Sequence, residues 1–493
     1  MTEPTGSPVA VVLAAGLGTR MRSATPKVLH PLLGRPMLAY VLDAARSATG
    51  GRRPIVVYSP ATAAVRDAFA AEADMALQAE PNGTGDALRA ALTAIPPDAG
   101  EILVLSGDVP RIHDGLAAAL LAERRAARAA IALVAVETIE PGSLGRVVRT
   151  DDGSVRAIVE AKDAGDGELE LTEINAGVYA IDAAWLRRRI GDLEASPATG
   201  EVYLTDLVAL ARADGAGVTA ITVEDDGRLL GINDRLQLAE AEGDLRAEIN
   251  ERHLLAGVSM ADPSTAYVEA TVELEPDVSL EPNVTLRGRT RIGRGTVIGA
   301  NSTIVDTVVG RDCRVFASVL ESSEVGDGAT IGPFSHLRPG SVIGPGAELG
   351  NYAEVKNSRL GAGVKQHHMS YLGDAEVGAG TNVGAGTITA NYDGRRKART
   401  TIGEGVFLGV DSMLVAPLTI GDGARTGAGA VVTKDVPPGK LAVGVPARLR
   451  DPRPVTDDGA TTASEPEPEP EPEPGPSGPS PDPPAGATPG AEP

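Results

Sequence analysis

One cysteine, Cys313, in a chain of 493 residues leaves no partner for an intramolecular disulfide and fits a reducing compartment. Its thiol is either reactive or a small core or corner residue. Aromatic residues are only 3% of the chain, so a core must be packed with Val, Leu, Ile and Ala. No apolar run reaches membrane-spanning length, and no charged-then-apolar leader pattern opens the chain, so a cytoplasmic protein with no membrane partner is expected. Basic charge is also scarce: 45 Lys and Arg stand against 67 Asp and Glu, a net charge of −22. The segment after Arg453 contributes acids and no Lys or Arg, yet most of the excess lies before it. This balance excludes general nucleic-acid binding, which needs basic faces. An anionic substrate must be met by local basic residues and backbone N–H groups.

Glycine, by contrast, is abundant, at 59 residues. Ile402, Leu408, Leu414, Ile420, Thr426 and Val432 recur every sixth position, often followed by Gly. Ile331, Leu337, Ile343, Leu349 and Val355 keep the same beat. That period fits neither an amphipathic helix nor an alternating strand. It is the signature of hexapeptide repeats stacking into a parallel β-helix. The aliphatic residue should point into the prism, and the Gly beside it should supply a positive φ at the corner. The β-helix is expected from about Tyr267 to Val436, interrupted by a basic loop at Asn391 to Thr400.

Nothing before about Ser259 keeps the beat. There, apolar strands at Val9 to Ala14, Ile55 to Tyr58 and Ile102 to Leu105 alternate with helical or turn-rich stretches, such as Met37 to Ala48. This indicates an α/β, Rossmann-like parallel sheet flanked by helices. Asn233 to Leu255 reads as a charged connecting helix. Four segments are therefore expected: an α/β domain over 1–232, a helical linker over 233–256, a β-helix domain over 257–453 and a disordered acidic, Pro-rich tail over 454–493, which lacks apolar anchors.

The first strand runs into "LAAGLGTRM". Gly16 and Gly18 let backbone N–H groups approach anionic oxygens, and Arg20 adds a planar cation. Such a loop is equally a tight turn, and its spacing matches neither the dinucleotide fingerprint nor the Walker A loop. Lys27 follows and could balance phosphate charge, or be a solvated surface group. Asp108, in "SGDVP", sits past an apolar strand, where open α/β sheets bind ligands. It is either a Mg²⁺ ligand or, more simply, a turn or helix-cap Asp. In the β-helix, "KQHHMSYLGDAEVGAGTNVGAGT" carries two adjacent His. No Cys or third His stands at metal spacing, whereas acyl transfer to an amine needs a base near neutrality.

Taken together, "LAAGLGTRM", "PKVLHPLLGRPM", "GTGDA" and "SGDVP" resemble nucleotidylyltransferases that make nucleotide sugars. With the hexapeptide segment behind them, roughly Val9 to Pro446 resembles the bacterial bifunctional N-acetylglucosamine-1-phosphate uridylyltransferase and glucosamine-1-phosphate N-acetyltransferase family. The resemblance implies a left-handed β-helix, the co-substrates UTP and acetyl-CoA, Mg²⁺, and a homotrimer. It implies that Leu13, Ala14, Ala15, Gly16 and Gln78 hold the uracil and ribose, and that Gly83 and Thr84 also face the nucleotide. Ser106, Gly107 and Asp108 belong to the same site. Arg20 and Lys27 handle the triphosphate and the reacting phosphorus, and Asp108 with Asn233 bind Mg²⁺. Gly145, Glu160 and Asn175 hold the sugar. In the second half it implies His368 as the base, oriented by Glu354, with His367 facing elsewhere. Arg338 and Lys356 bind the sugar phosphate, and Tyr371 and Asn382 the amino sugar. Ala385, Asn391, Tyr392, Lys397, Val410 and Ala428 serve acetyl-CoA.

The chain departs from the family at Leu144, often aromatic there, and at Asp86, usually His or Ala. As placed from sequence, neither touches the reacting groups. Val410 stands where Ser is usual and Val445 where Arg is expected, with Arg448 as a possible substitute; these bear on acetyl-CoA binding and leave the base in place. The competing readings are a single-activity sugar-1-phosphate nucleotidylyltransferase on a purely structural β-helix, and a non-enzymatic nucleotide-sugar sensor. His368, Glu354, Lys356, Tyr371 and Asn391 weigh against the first, and Asp108 and Lys27 against the second.

Overall fold

The computed structural model describes residues 6–112 and 114–451. The expected acidic tail lies outside the described residues. The N-terminal half is built on a sheet with strands side by side in the order Val218–Glu224, Ile131–Glu137, Glu173–Asp182, Glu101–Ser106, Pro8–Leu13, Ile55–Tyr58 and Asp74–Leu77. Pro8–Leu13 lies parallel to both Glu101–Ser106 and Ile55–Tyr58, as expected. Glu173–Asp182, however, runs antiparallel to both its neighbours. The sheet is therefore mixed. The chain between Ile131–Glu137 and Glu173–Asp182 is an antiparallel hairpin, Arg146–Arg149 with Val155–Val159, and not a crossover helix, so it returns in the opposite direction. Two apolar layers flank this sheet. One gathers Val9, Val11 and Val104, and the other Ala10, Val12 and Leu103 with Leu38 and Leu42 of the helix Met37–Ala48.

The helix Arg235–Leu255 leads out of this half. Its start is fixed locally: the Asp234 side chain accepts from Gln237 N at 3.0 Å, and Gln237 Oε1 accepts from Asn233 N at 2.8 Å. Among its apolar residues, Leu238 and Ile249 are buried and Leu245 packs against the core, whereas Leu236 is exposed.

Beyond it, short parallel strands stack into three sheets, a β-helix of the left-handed hexapeptide type. The hexad residues are buried: Ile343, Leu349, Val355, Leu408 and Val432 are each at most 1% exposed. Each aliphatic side chain withdrawn from water contributes about 1.5–3 kcal/mol, which drives the stacking. Cys313 belongs to this core, and burial pushes its thiol up, so it is a packing residue. The coils begin earlier and end later than the beat predicts, from Ser259–Met260 to Leu441–Gly444, capped by the antiparallel strand Ala447–Arg450. End coils have neighbours on one side only, so their hexads are less constrained.

The positive φ expected at the glycine beside each aliphatic residue occurs at Gly332 (φ 101°), after Ile331, but not at most of these glycines. Gly361, after Leu360, has no positive φ; a Cβ there would stand 2.6 Å from the backbone N of Ala379 in the next coil. Close coil approach, not φ, excludes a side chain. Positive φ falls two residues later, as at Gly363 (φ 63°), or on Asn and Asp at other corners, such as Asn357 and Asp374.

Candidate functional site

In the N-terminal half, the loop after the first strand and the start of the helix Thr84–Ala91 enclose a cavity of about 270 Å³. Leu13, Ala14, Ala15, Gly16, Gln78, Gly83 and Thr84 line it, as expected from sequence. A second cavity, of about 370 Å³, is lined by Arg20, Gly145, Glu160, Asn175 and Asn233. Leu13, Thr84, Ser106 and Asp108 line both, so the two cavities share a wall. Gly107 lines neither. Its N donates to Leu13 O at 2.9 Å, and a Cβ would stand 3.0 Å from that same oxygen, so it packs beneath the loop.

Gly18 (φ 60°) explains where Lys27 sits: a Cβ at Gly18 would stand 2.5 Å from Lys27 Cβ. Lys27 Nζ is hydrogen-bonded to Asp108 Oδ2 and donates to Asn233 Oδ1 at 2.9 Å. The Asn233 amide is held with its oxygen toward this point because its Nδ2 donates to Gly231 O at 2.8 Å. Arg20 is exposed and has no partner among the described residues.

Across the shared wall, a bulge in Glu173–Asp182 shifts register between Asn175 and Tyr179 around Gly177 (φ 72°). Asn175 Nδ2 donates to the Tyr179 hydroxyl at 2.6 Å, and its Oδ1 accepts from Gly177 N at 3.1 Å. Burial raises Glu160 above the ordinary carboxylate range despite a 3.1 Å hydrogen bond from Thr205 Oγ1. Gly145 backs this carboxylate, where a Cβ would stand 3.4 Å from its oxygens.

The two departures from the family lie differently with respect to the cavities. Leu144 lines the second cavity. Asp86 Oδ2 accepts from Gln78 Nε2 at 3.0 Å. Asp86 lines neither cavity but, from the first turn of its helix, holds Gln78, which lines the first.

In the β-helix, His336, Glu354, Tyr371 and Ile388 are consecutive rungs of one sheet. His368 lies at the corner entering that sheet, exposed. Ala385, Val410 and Ala428 follow on the same corner in later coils; Asp411 N donates to Ala385 O at 2.6 Å and Gly429 N to Val410 O at 2.8 Å. His367 turns elsewhere, its Nε2 2.7 Å from Glu348 Oε2. The expected hydrogen bond from Glu354 to His368 is not made. Glu354 Oε1 instead accepts from Arg338 Nη1 at 2.9 Å, a charge-assisted bond to a guanidinium on the neighbouring coil.

At the far corner of the same sheet stand Arg338, Lys356 and the loop containing Asn391, Tyr392 and Lys397. Lys397 beside Lys356 lowers that ammonium below its ordinary range. Asp374, which the sequence does not single out, ties this corner together. It accepts from Asn357 Nδ2 at 2.6 Å and from Asn391 Nδ2 at 2.5 Å. Burial pushes its carboxyl up, but these two hydrogen bonds, with Lys356 and Lys397 near, outweigh burial and hold it low. Its only sequence signal is an Asp at a corner position. Asn382 lies on a different sheet from Tyr371. Val445 is exposed in the terminal turn, and Arg448 lies on the return strand opposite Val443.

Comparison with known proteins follows the same division. Residues 10–165 match the MobA-like NTP transferase domain. Residues 322–357 and 399–434 match the bacterial transferase hexapeptide (six repeats), and residues 289–320 the hexapeptide repeat of succinyl-transferase. The chain is 42% identical over 450 residues to the bifunctional protein GlmU of Mycobacterium tuberculosis (strain ATCC 25177 / H37Ra), covering 90% of this chain and 91% of that protein. It is 44% identical over 450 residues to that of Mycolicibacterium paratuberculosis, covering 90% and 92%. Against that of Kineococcus radiotolerans it is 43% identical over 448 residues, covering 90% and 91%. Likeness at this level runs through both the nucleotidyltransferase-like half and the β-helix, and the chain belongs to the bifunctional GlmU family.

Proposed function

We propose that the two adjoining cavities of the α/β half hold UTP and N-acetylglucosamine-1-phosphate, and that the corner around His368 performs acetyl transfer to glucosamine-1-phosphate. The chain is a bifunctional transferase of UDP-N-acetylglucosamine synthesis, a uridylyltransferase joined to an acetyltransferase. The observation that carries the residue assignment is the shared wall: Asp108 borders both cavities, and Lys27 bonds both to it and to Asn233 there.

In the first cavity the nucleotide's base lies by Gln78 and its phosphates reach Lys27. In the second, the sugar lies by Gly145, Glu160 and Asn175. A sugar-1-phosphate oxygen attacks the α-phosphorus in line, the bond to the β-phosphate oxygen breaks, and pyrophosphate leaves. Lys27 and Arg20 neutralise developing charge, and positioning does most of the rest.

Asp108 and Asn233 suit a hard divalent cation. They offer a carboxylate and an amide oxygen, the amide is locked with its oxygen inward, and an ammonium already occupies the space between them. Mg²⁺ held there supplies charge neutralisation on phosphate oxygens. Among the described residues no three His, Cys, Asp or Glu side chains cluster as metal ligands, which fits an ion taking most of its oxygens from phosphate and water.

In the β-helix, His368 takes a proton from the glucosamine amine as that amine attacks the acetyl-CoA carbonyl, and the CoA thiolate leaves. On substrate binding, the sugar phosphate draws Arg338 away and frees Glu354 to orient the imidazole. The reading includes a homotrimer. Phe334, Tyr352 and Met369 stack up the His368 corner, each more than half exposed, and the two rings lie 5.3 Å apart. An apolar column of this kind fits burial against a second copy, and neighbouring chains would supply groups such as Asn382 that one chain keeps on another sheet. Among the described residues no helix is long and apolar enough to cross a membrane. The reading puts the enzyme in the cytoplasm, where UTP and acetyl-CoA would be its co-substrates.

The test uses Asp108→Ala and His368→Ala in the full chain. The reading expects the first to lose only uridylyl transfer and the second only acetyl transfer. Loss of both activities in either folded variant contradicts separate sites.

A further inference from the structure

Gln78 is nearly fully buried, and its side chain makes two hydrogen bonds, both through Nε2: to Gly83 O at 3.1 Å and to Asp86 Oδ2 at 3.0 Å. A carbonyl and a carboxylate only accept at neutral pH, so the amide nitrogen must face both of them. This settles the orientation of an amide that could otherwise flip. Its oxygen accepts nothing among the described residues and is not among the buried unpartnered atoms, so Oε1 opens to the cavity that Gln78 lines.

The fold holds each partner in place. Gly83 is the residue before the helix Thr84–Ala91, with φ 109°, and a Cβ there would stand 2.5 Å from Val202 O. Asp86 lies in the first turn of that helix, where a carboxylate is favoured by the helix N-terminus, and its Oδ1 is 3.6 Å from Arg89 Nη1 one turn on. The second oxygen is thus left for Gln78.

We propose that Asp86 is a positioning residue for nucleobase selection: it fixes the Gln78 amide so that only an acceptor faces the base. The inference rests on the reading that this cavity holds the nucleotide's base. A pyrimidine with a ring N–H, as in uracil, finds its partner in Oε1. Cytosine presents a ring lone pair at the same position and meets another lone pair. Were the amide free to turn, its nitrogen would serve cytosine as well, and the distinction would blur. A site built to pair one polar group rejects the analogue lacking it, because a buried group is left unpaired.

The experiment measures kcat and KM for uridylyl transfer by the full-length enzyme with UTP, CTP and 5-methyluridine triphosphate, which keeps the ring N–H. Asp86→Ala should lower the UTP-to-CTP ratio of kcat/KM by about fivefold, the worth of roughly one hydrogen bond. The ratio of UTP to 5-methyluridine triphosphate should stay unchanged, as a merely structural role would not predict. Asp86→Asn keeps an acceptor and should retain most of the discrimination. The inference is overturned if Asp86→Ala leaves the UTP-to-CTP ratio as it is, if both nucleotide ratios fall together, or if the Asn variant loses as much as the Ala variant. Gln78→Ala separates the two levels. Should it leave the KM for UTP unchanged, the base is not at Gln78 and the underlying reading fails. Should it raise that KM while Asp86→Ala has no effect on the ratio, only the role of Asp86 fails.

Discussion

Asp374 offers the sharpest stability-to-function link in the β-helix half. Each of its carboxylate oxygens accepts from a different amide, Asn357 Nδ2 at 2.6 Å and Asn391 Nδ2 at 2.5 Å. Its backbone is left-handed (φ 50°), which Ala would strain, so Asp374→Gly is the clean perturbation. It removes both acceptors and leaves the Asn391 amide buried without one. A hydrogen bond to a charged group contributes about 1.5–3 kcal/mol. Because the far end of the loop stays exposed, a net loss near the bottom of that range, about 2 kcal/mol, is expected, or about thirtyfold in an equilibrium constant. The loop Asn391 to Thr400 then loses its anchor, and with it the proposed acetyl-CoA contacts of Asn391 and Lys397. The assay is steady-state acetyl transfer: the KM for acetyl-CoA should rise by about thirtyfold, with kcat falling less. Asp374→Asn, which keeps one acceptor, should lose less than the Gly variant. The held-low carboxyl sets the pH sense. Its contribution is present above the ordinary Asp range and is lost as pH falls through its depressed folded-state value. An acetyl-CoA KM within twofold of the parent enzyme in the Gly variant would refute the anchoring argument.

Other outcomes follow from the same geometry. Asp108→Ala should abolish UDP-N-acetylglucosamine formation and spare acetyl transfer; near-normal uridylyl transfer sinks the metal assignment. His368→Ala should cost acetyl transfer a factor of about 10²–10⁴, whereas His367→Ala, whose ring is engaged by Glu348, should be mild; the reverse order would put the register one residue out. Gly361→Ala should destabilise the β-helix by about 1–3 kcal/mol, read as a lowered Tm, because its Cβ would stand 2.6 Å from Ala379 N. Light scattering at micromolar concentration should give a trimer; a monomer would leave the apolar corner of Phe334, Tyr352 and Met369 without its expected cover.

What was legible in the sequence was whatever repeats or sits in a contiguous motif. The hexads of Ile343, Leu349 and Val355 show in the period because each coil repeats the same demand for burial. Asn233 comes from the family resemblance alone, and the structure sets it beside Lys27 at the start of the helix Arg235–Leu255. Features set by the return path of the chain were not legible. The antiparallel course of Glu173–Asp182 depends on where the hairpin Arg146 to Val159 delivers it, which no local pattern encodes. At most glycines beside an aliphatic residue the residue type follows from close approach to the next coil and not from the expected positive φ, which holds at Gly332. Asp86 shows in the sequence only as a departure and Asp374 not at all, because each bonds to other side chains and carries no motif of its own. Glu354 was matched to His368 by analogy, and the competing cation, Arg338, is set beside it by coil stacking.

The central claim is that one chain carries out both transfers. Its most direct test is to incubate the full-length protein with glucosamine-1-phosphate, acetyl-CoA, UTP and Mg²⁺ and identify every product by mass. The account predicts N-acetylglucosamine-1-phosphate, free CoA, UDP-N-acetylglucosamine and pyrophosphate. If no CoA is released, and UTP is consumed only when ready-made N-acetylglucosamine-1-phosphate is added, the β-helix is a scaffold and the account is contradicted.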